Sequence, residues 1–414
     1  MNAFAVFILI ALLAEYGLNR AADLLNIRAL QPEVPDEFRD LYDADTYRRS
    51  QEYTRARTRF GFVPATFDLA TVLAFWFLGG FAWLDGWVRG FELGPVWTGL
   101  SFIGVLLIGK SILGLPFSWY STFVIEERFG FNKTTPKTFW ADVVKGLVLG
   151  VLIGGPLLAA ILAFFAWAGG AAWLWCWGMT TAFAVVLQFV APTWIMPLFN
   201  KFTPLEEGEL RERVLAYADS VSFPLKGMFV IDGSRRSTKA NAFFTGFGRN
   251  KRIALFDTLI EKHETDELVA VVAHEIGHYK KKHVLVTMAI SILHMGVIFG
   301  LLAFFLPQQG LFDAFGLQQP SVYAGLVFFG LLYAPVELVL AIGMQAFSRR
   351  NEYEADRYAA QTTGLWQDLS AGLKKLSADS LSNLTPHPFY VTLHYSHPPV
   401  LQRIDTLRRE WGGS

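Results

Sequence analysis

Two histidines flanking a glutamate form the most chemically pointed stretch of the 414-residue chain, His274-Glu275-Ile276-Gly277-His278. Thr265 and the acidic Asp266-Glu267 signal a helix start, and the run Leu268 to Ala273 carries that helix into the motif. Residues four apart share a helical face, so His274 and His278 can bind one metal ion. Zinc suits two neutral imidazole nitrogens plus a carboxylate and keeps its fourth position for water. Glu275, one residue after the first ligand, stands beside that water and can take its proton. A bare His-Glu-x-x-His also occurs by chance in polar helices. On this otherwise apolar helix three unpaired polar groups would be expensive to bury, so a metal centre holding one zinc per chain is expected.

A third ligand must come from elsewhere, because no third histidine follows at the short spacing of the metzincin pattern. Asn351-Glu352-Tyr353-Glu354-Ala355-Asp356 supplies two acids four apart on one helical face. Glu352 is expected to ligate the metal, and Asp356, one turn on, to hold the outer nitrogen of a ligand histidine. Glu354 lies about 200° around the helix from Glu352 and is expected to face elsewhere. His263, His283, His294 and His387 have no comparable arrangement and are read as ordinary polar residues.

The elements that carry these groups are mostly membrane helices. Hydrophobic residues make up 53% of the chain and charged residues only 17%, well below the roughly 25% of a soluble domain. A disordered chain and a nucleic-acid binder are disfavoured, and the single Cys176 excludes an intrachain disulfide framework and a cysteine zinc cluster. Between Lys145 and Lys201 lie 55 residues without a charge. One span needs about 20 apolar residues, so this stretch predicts two helices, near 143–167 and 172–197, turning at Ala168-Gly169-Gly170-Ala171. Five more spans are expected: Asn2 to Leu13, extended to Leu18 and uncleaved; Leu69 to Val88; Val96 past Lys110, with Pro116 as a kink or break; Val284 to Phe305; and Val322 to Phe347, interrupted by Glu337. Seven helices place 33 of the 36 Lys and Arg residues on one side, which predicts an outside N-terminus and a cytoplasmic C-terminus and zinc domain. Between the spans, Phe229 to Gly233 reads as a strand and turn, and Ala242 to Phe247 with Arg252 to Phe256 as a hairpin about Gly248-Arg249-Asn250-Lys251.

Taken together these residues resemble the Ste24 family of integral-membrane zinc metalloproteases, the CAAX prenyl proteases type I of peptidase family M48. Besides the two zinc motifs, the resemblance rests on Ile125-Glu126-Glu127-Arg128-Phe129-Gly130-Phe131-Asn132, Pro197-Leu198-Phe199-Asn200-Lys201-Phe202, Asn241 to Gly246, Asn250 to Ile253, Leu255 to Leu259 and His394-Tyr395-Ser396-His397-Pro398-Pro399. It implies a predominantly α membrane protein with seven transmembrane helices forming a chamber, capped by a gluzincin-like zinc protease domain with a small β-sheet. It implies His274, His278 and Glu352 as zinc ligands and Glu275 as general base. It also implies that His397 and Arg403 face the active site toward substrate or oxyanion, and that Asn241 lies on the peptide-binding strand. Pro398-Pro399 independently read as a helix start that places Arg403 on the helix after His397, where the two could steady an oxyanion.

The expected organisation is spans one to five in 1–199, a soluble catalytic insert with the zinc helix in 200–283, spans six and seven in 284–347, and the cytoplasmic remainder of the catalytic domain in 348–414. Expected partners are the lipid bilayer and a peptide or protein substrate, with C-terminally prenylated proteins as the family's substrate class; nucleic acid is not expected. Compactness and a terminus without a dilysine-type retrieval signal favour a bacterial inner membrane over the endoplasmic reticulum of a eukaryote. Two alternatives stand beside this reading: an HtpX-like quality-control protease, which has fewer spans, and a non-catalytic membrane scaffold with a vestigial zinc site.

Overall fold

The computed structural model describes residues 1–245 and 251–413. Its first half is helical throughout: α1 (Ala3–Arg28), α2 (Ala44–Phe77), α3 (Gly80–Arg89), α4 (Pro95–Tyr120), α5 (Pro136–Leu149), α6 (Gly155–Trp167) and α7 (Ala172–Val190). A π turn at Gly150–Gly154 joins α5 to α6 as one span, and others at Ser121–Glu126 and Ala191–Ile195 widen the ends of α4 and α7. The middle carries β1 (Phe202–Pro204), α8 (Glu209–Ser220), β2 (Leu225–Ile231), β3 (Ala242–Thr245), β4 (Lys251–Phe256), α9 (Asp257–Ile260) and α10 (Thr265–Lys280). The remainder is α11 (His283–Phe305), α12 (Gln309–Asp313), α13 (Val322–Thr363), α14 (Trp366–Asp379), α15 (Pro388–His394) and α16 (Val400–Trp411).

Among the described residues, seven of the helical stretches are long and apolar enough to cross a bilayer, which makes this a multi-pass membrane protein. Contacts run α13 to α4, α6, α7, α11 and back to α13, a closed circuit, with α1 packed on α13 and α2 on α1. None of the most apolar window of Gly169–Leu198 is buried within the protein. Such a surface is stable only against lipid or a sheltered interior, and a cavity of about 540 Å³ does open between α7, α11 and α10. At one end of the circuit the helices pack on aromatic side chains, including Phe81, Phe102, Phe315 and Phe328, with Phe315 and Phe328 stacked at 3.9 Å.

One expectation about the spans needs correction, and two others gain detail. Leu69 to Val88 is not one helix: Gly79, at φ +78, ends α2, and the chain restarts as α3. A left-handed residue is open to glycine at little cost, and it lets α3 bury Phe81, Leu84 and Val88 in the aromatic core. Pro116 does not break its span; α4 runs through it, as membrane helices allow where neighbours satisfy the freed backbone. The helix of the last span does not stop with its apolar run near Phe347: α13 is 42 residues long, Val322–Thr363, and leaves the apolar region with its helical hydrogen bonding intact.

Outside the membrane region a second core forms around Val214, Ile253, Leu255, Val272, Ile276 and Ala359. The sheet has the order β1-β2-β4-β3, with β2 and β4 parallel and both outer pairs antiparallel. β3 is therefore an edge strand, in register from Ala242 opposite Leu255 to Thr245 opposite Arg252. The expected hairpin turn at Gly248-Arg249-Asn250 lies outside the described residues.

Candidate metal centre and peptide site

Glu264 caps α10 in a reciprocal capping box with Glu267, which fixes where the helix starts and so which face the motif presents. The residues from Leu268 to Ala273 are buried, and they seat α10 in the second core. Gly277 decides how closely α13 can approach. A Cβ there would stand 3.2 Å from both the Cα and the carbonyl oxygen of Ala355, backbone atoms that cannot swing aside. Glycine opposite alanine lets the two helices touch, and Glu352, one turn before Asp356, is delivered beside both histidines.

The donors converge. His274 Nε2 and His278 Nε2 are 3.1 Å apart, at 3.4 and 3.2 Å from the two oxygens of Glu352. The three groups could hold one metal ion, their ligand atoms all lying within 4.8 Å of one another. Asp356 Oδ1 accepts from His274 Nδ1 at 2.8 Å, the partnership expected from the spacing. Arg403 clamps Asp356 in turn, donating from Nε at 2.7 Å and from its second terminal nitrogen at 2.6 Å. The other terminal nitrogen reaches Glu352 Oε2 at 3.4 Å. Burial works against the Arg403 cation, but Asp356, Glu352 and Glu275 hold it protonated above its ordinary range.

The donor set fits a divalent cation by its own chemistry. In its neutral form, with Nδ1–H given to Asp356, His274 turns a bare Nε2 lone pair toward the other imidazole. Among the described residues buried Glu352 Oε2 makes no hydrogen bond, having only Arg403 and His274 as ionic neighbours at 3.4 Å, and such incompletely satisfied atoms are uncommon in an interior. Burial alone would strip the proton from His274, yet the carboxylates of Asp356 and Glu352 push its pKa up to about 9. A pocket that attracts a proton this strongly attracts a metal cation for the same reason. Glu275 lies on the open side of the donors and lines both the 540 Å³ cavity and a second one of about 520 Å³.

The remaining expected residues line that second cavity, with Asn241, His397 and Arg403 all at its wall. Asn241 precedes β3: its carbonyl accepts from Phe256 N, and its side-chain oxygen accepts from Ala242 N. His397 follows α15, with Nε2 3.4 Å from Glu352 Oε1 and Nδ1 2.9 Å from Ser396 Oγ. Its side chain is 64% exposed, so it can meet a substrate. Burial lowers its pKa, Glu352 opposes this, and Arg403 lowers it again, leaving it below the ordinary imidazole range. Arg403 is 7% exposed, and its guanidinium is engaged by Asp356 and Glu352, not turned freely into the cavity.

Sequence reasoning missed His283. At the first residue of α11 its Nδ1 lies 3.1 Å from His278 Nδ1, and its Nε2 3.2 Å from Glu354 Oε2. Glu354 does point away from the metal ligands, but to this purpose. The available signal was the two-residue link Lys281-Lys282 between α10 and α11, which keeps the next helix within reach of the motif. Glu337, the acid that interrupts the last span, pairs with His294 at 3.3 Å.

The chain resembles known proteins along nearly its whole length. Residues 23–201 match the family model described as CAAX prenyl protease N-terminal, five membrane helices, and residues 204–411 match peptidase family M48. A CAAX prenyl protease 1 homolog of Oryza sativa is 36% identical over 93% of this chain and 92% of its own length. The Saccharomyces cerevisiae CAAX prenyl protease 1 is 36% identical over 91% of this chain and 89% of its own. A crystal structure of S. mikatae Ste24p superposes with a TM-score of 0.91 at 34% identity, covering 98% of this chain and 99% of that one. On the strength of fold, site and full-length similarity, the chain belongs to the Ste24 family of CAAX prenyl proteases, integral-membrane peptidases of family M48.

Proposed function

We propose that this protein is a zinc-dependent membrane endopeptidase with His274, His278 and Glu352 as ligands and Glu275 as general base. The observation that carries this reading is the convergence of two imidazole nitrogens and one incompletely satisfied carboxylate oxygen at a single buried point. Bound there, zinc supplies Lewis acidity to the scissile carbonyl and to the attacking water. Glu275 takes a proton from that water as its oxygen bonds to the carbonyl carbon, then delivers the proton to the amine as the C–N bond breaks. The exposed His397 imidazole donates to the developing oxyanion. Arg403 acts through Asp356, which orients His274. The edge strand β3, entered at Asn241, pairs with the substrate backbone in extended form.

The substrate class we infer is a peptide or protein reached from the bilayer, with C-terminally prenylated, CAAX-type chains as the first to test. Seven spans and full-length similarity favour this class over the HtpX-like alternative. The charge asymmetry supports a cytoplasmic catalytic face and C-terminus. The proposed division is spans one to five before residue 200, the insert with the zinc helix to 283, spans six and seven to 347, and the remaining catalytic segment beyond. Replacing Glu275 by Gln should leave one zinc per chain and abolish cleavage of a fluorogenic CAAX peptide, a loss of at least about a thousandfold; unimpaired turnover would remove Glu275 from its role. Proteomics of membranes carrying the wild type or Glu275→Gln would name physiological substrates by what accumulates.

A further inference from the structure

The partner of His278 is not a carboxylate but another imidazole. His283 is 6% exposed, and a two-residue link carries it to this place, with Lys282 held in the left-handed region at φ +61. A non-glycine residue in that conformation is uncommon, so the link is fixed by what it joins. Glu354 grips the far side of His283 and is itself gripped by Arg350 Nε at 3.0 Å. Three side chains from two helices thus stand in line behind one metal ligand.

The hydrogens in this line follow from the acceptors. An ionised Glu354 only accepts, so His283 carries its hydrogen on Nε2. The neutral ring then presents a bare Nδ1, which accepts from His278 Nδ1–H at 3.1 Å. That leaves His278 Nε2 as a lone pair, 3.1 Å from His274 Nε2 and 3.2 Å from Glu352 Oε1. The opposite tautomer of His278 would turn an N–H into the cluster and block ligation.

We propose that His283, fixed in one tautomer by Glu354, is the positioning residue for the metal ligand His278, matching the part Asp356 plays for His274. The inference rests on the zinc reading above and deepens it. Partners of this kind typically shift metal affinity by about 10–100-fold.

The test uses the purified full-length protein in detergent, with zinc competed by a chromophoric chelator and with cobalt replacing zinc for visible spectroscopy. His283→Ala should weaken zinc about 10–100-fold and shift the cobalt absorption bands, while metal-free thermal unfolding changes little. His283→Asn, whose amide oxygen can accept from His278, should recover part of the affinity. Glu354→Ala should weaken zinc in the same direction by a smaller factor; if His283→Ala does not fold, this variant decides alone. Zinc affinity and cobalt bands equal to wild type in a folded variant would overturn the proposal. A wild-type protein that takes up no zinc would fail the function reading first, and so tells the two failures apart.

Discussion

The two imidazoles of the centre sit one helical turn apart and are built into different parts of the molecule. His274, its side chain 9% exposed, gives its outer nitrogen to an anion that a buried arginine clamps. His278, at 21%, meets a neutral ring at the start of a membrane helix. The deep candidate ligand is thus part of the second core, and its support is ionic. The shallow candidate ligand is tied to the membrane helices, and its support is the tautomer proposed for His283. The difference teaches that the two histidines of one candidate metal site can be supported by different means, an ionic clamp and a neutral ring.

Breaking the ionic half should be the more damaging. Arg403→Met leaves Asp356 buried without its counter-ion, which costs about 3–5 kcal/mol. Chemical denaturation of the catalytic region should show this loss, together with weakened zinc, whereas His283→Ala should affect the metal and spare the fold. Equal destabilisation by both would erase the contrast. Gly277→Ala tests the helix contact that serves both halves. A methyl pressed 3.2 Å from the backbone of Ala355 should destabilise by about 1–3 kcal/mol and draw Glu352 back, and thermal unfolding with and without zinc would record the two effects.

The smallest effect concerns protons. The metal-free His274 has its pKa raised from 6.5 to about 9. Its protonated form therefore stabilises the metal-free protein fully below about 6.5, and this contribution is lost as the pH rises through about 9. Zinc needs the neutral ring, so binding at pH 8 should release about one proton from His274. Calorimetric zinc titrations in two buffers of different ionisation enthalpy would count it. Affinity should rise with pH until about 9, and no release at pH 8 would show the deep half to be less anionic than its geometry implies.

How far the site was legible depended on whether a partner lay on the same element. His274 and His278 follow from helical period alone, and Glu352 with Asp356 from two acids spaced by one turn. His283 follows from none of these, since its contact is made by a reversal at Lys282 whose left-handed backbone no composition reveals. Hydropathy located the membrane crossings because lipid demands apolar length, but it is blind to Gly79, where backbone conformation divides one apolar run into α2 and α3. It marks the end of a span but not of its helix: Arg349 and Arg350 stand where α13 leaves the apolar layer, not where its hydrogen bonding stops. Arg403 was placed at the site through its resemblance, while its engagement with Asp356 depends on how α16 packs and became visible only in three dimensions.

The continuous α13 joins the membrane anchor and the proposed third ligand, Glu352, in a single helix. Its 42 residues form a rod of roughly 63 Å at 1.5 Å per residue. Glu352 lies about 22 Å along that rod from the intramembrane Glu337. A tilt of about 5° around the intramembrane part would sweep the carboxylate by about 2 Å, comparable to a metal–ligand bond. Because the tilt of a spanning helix is set by the neighbours it packs against, the helices that hold α13, namely α1, α4, α6 and α11, also fix where Glu352 stands.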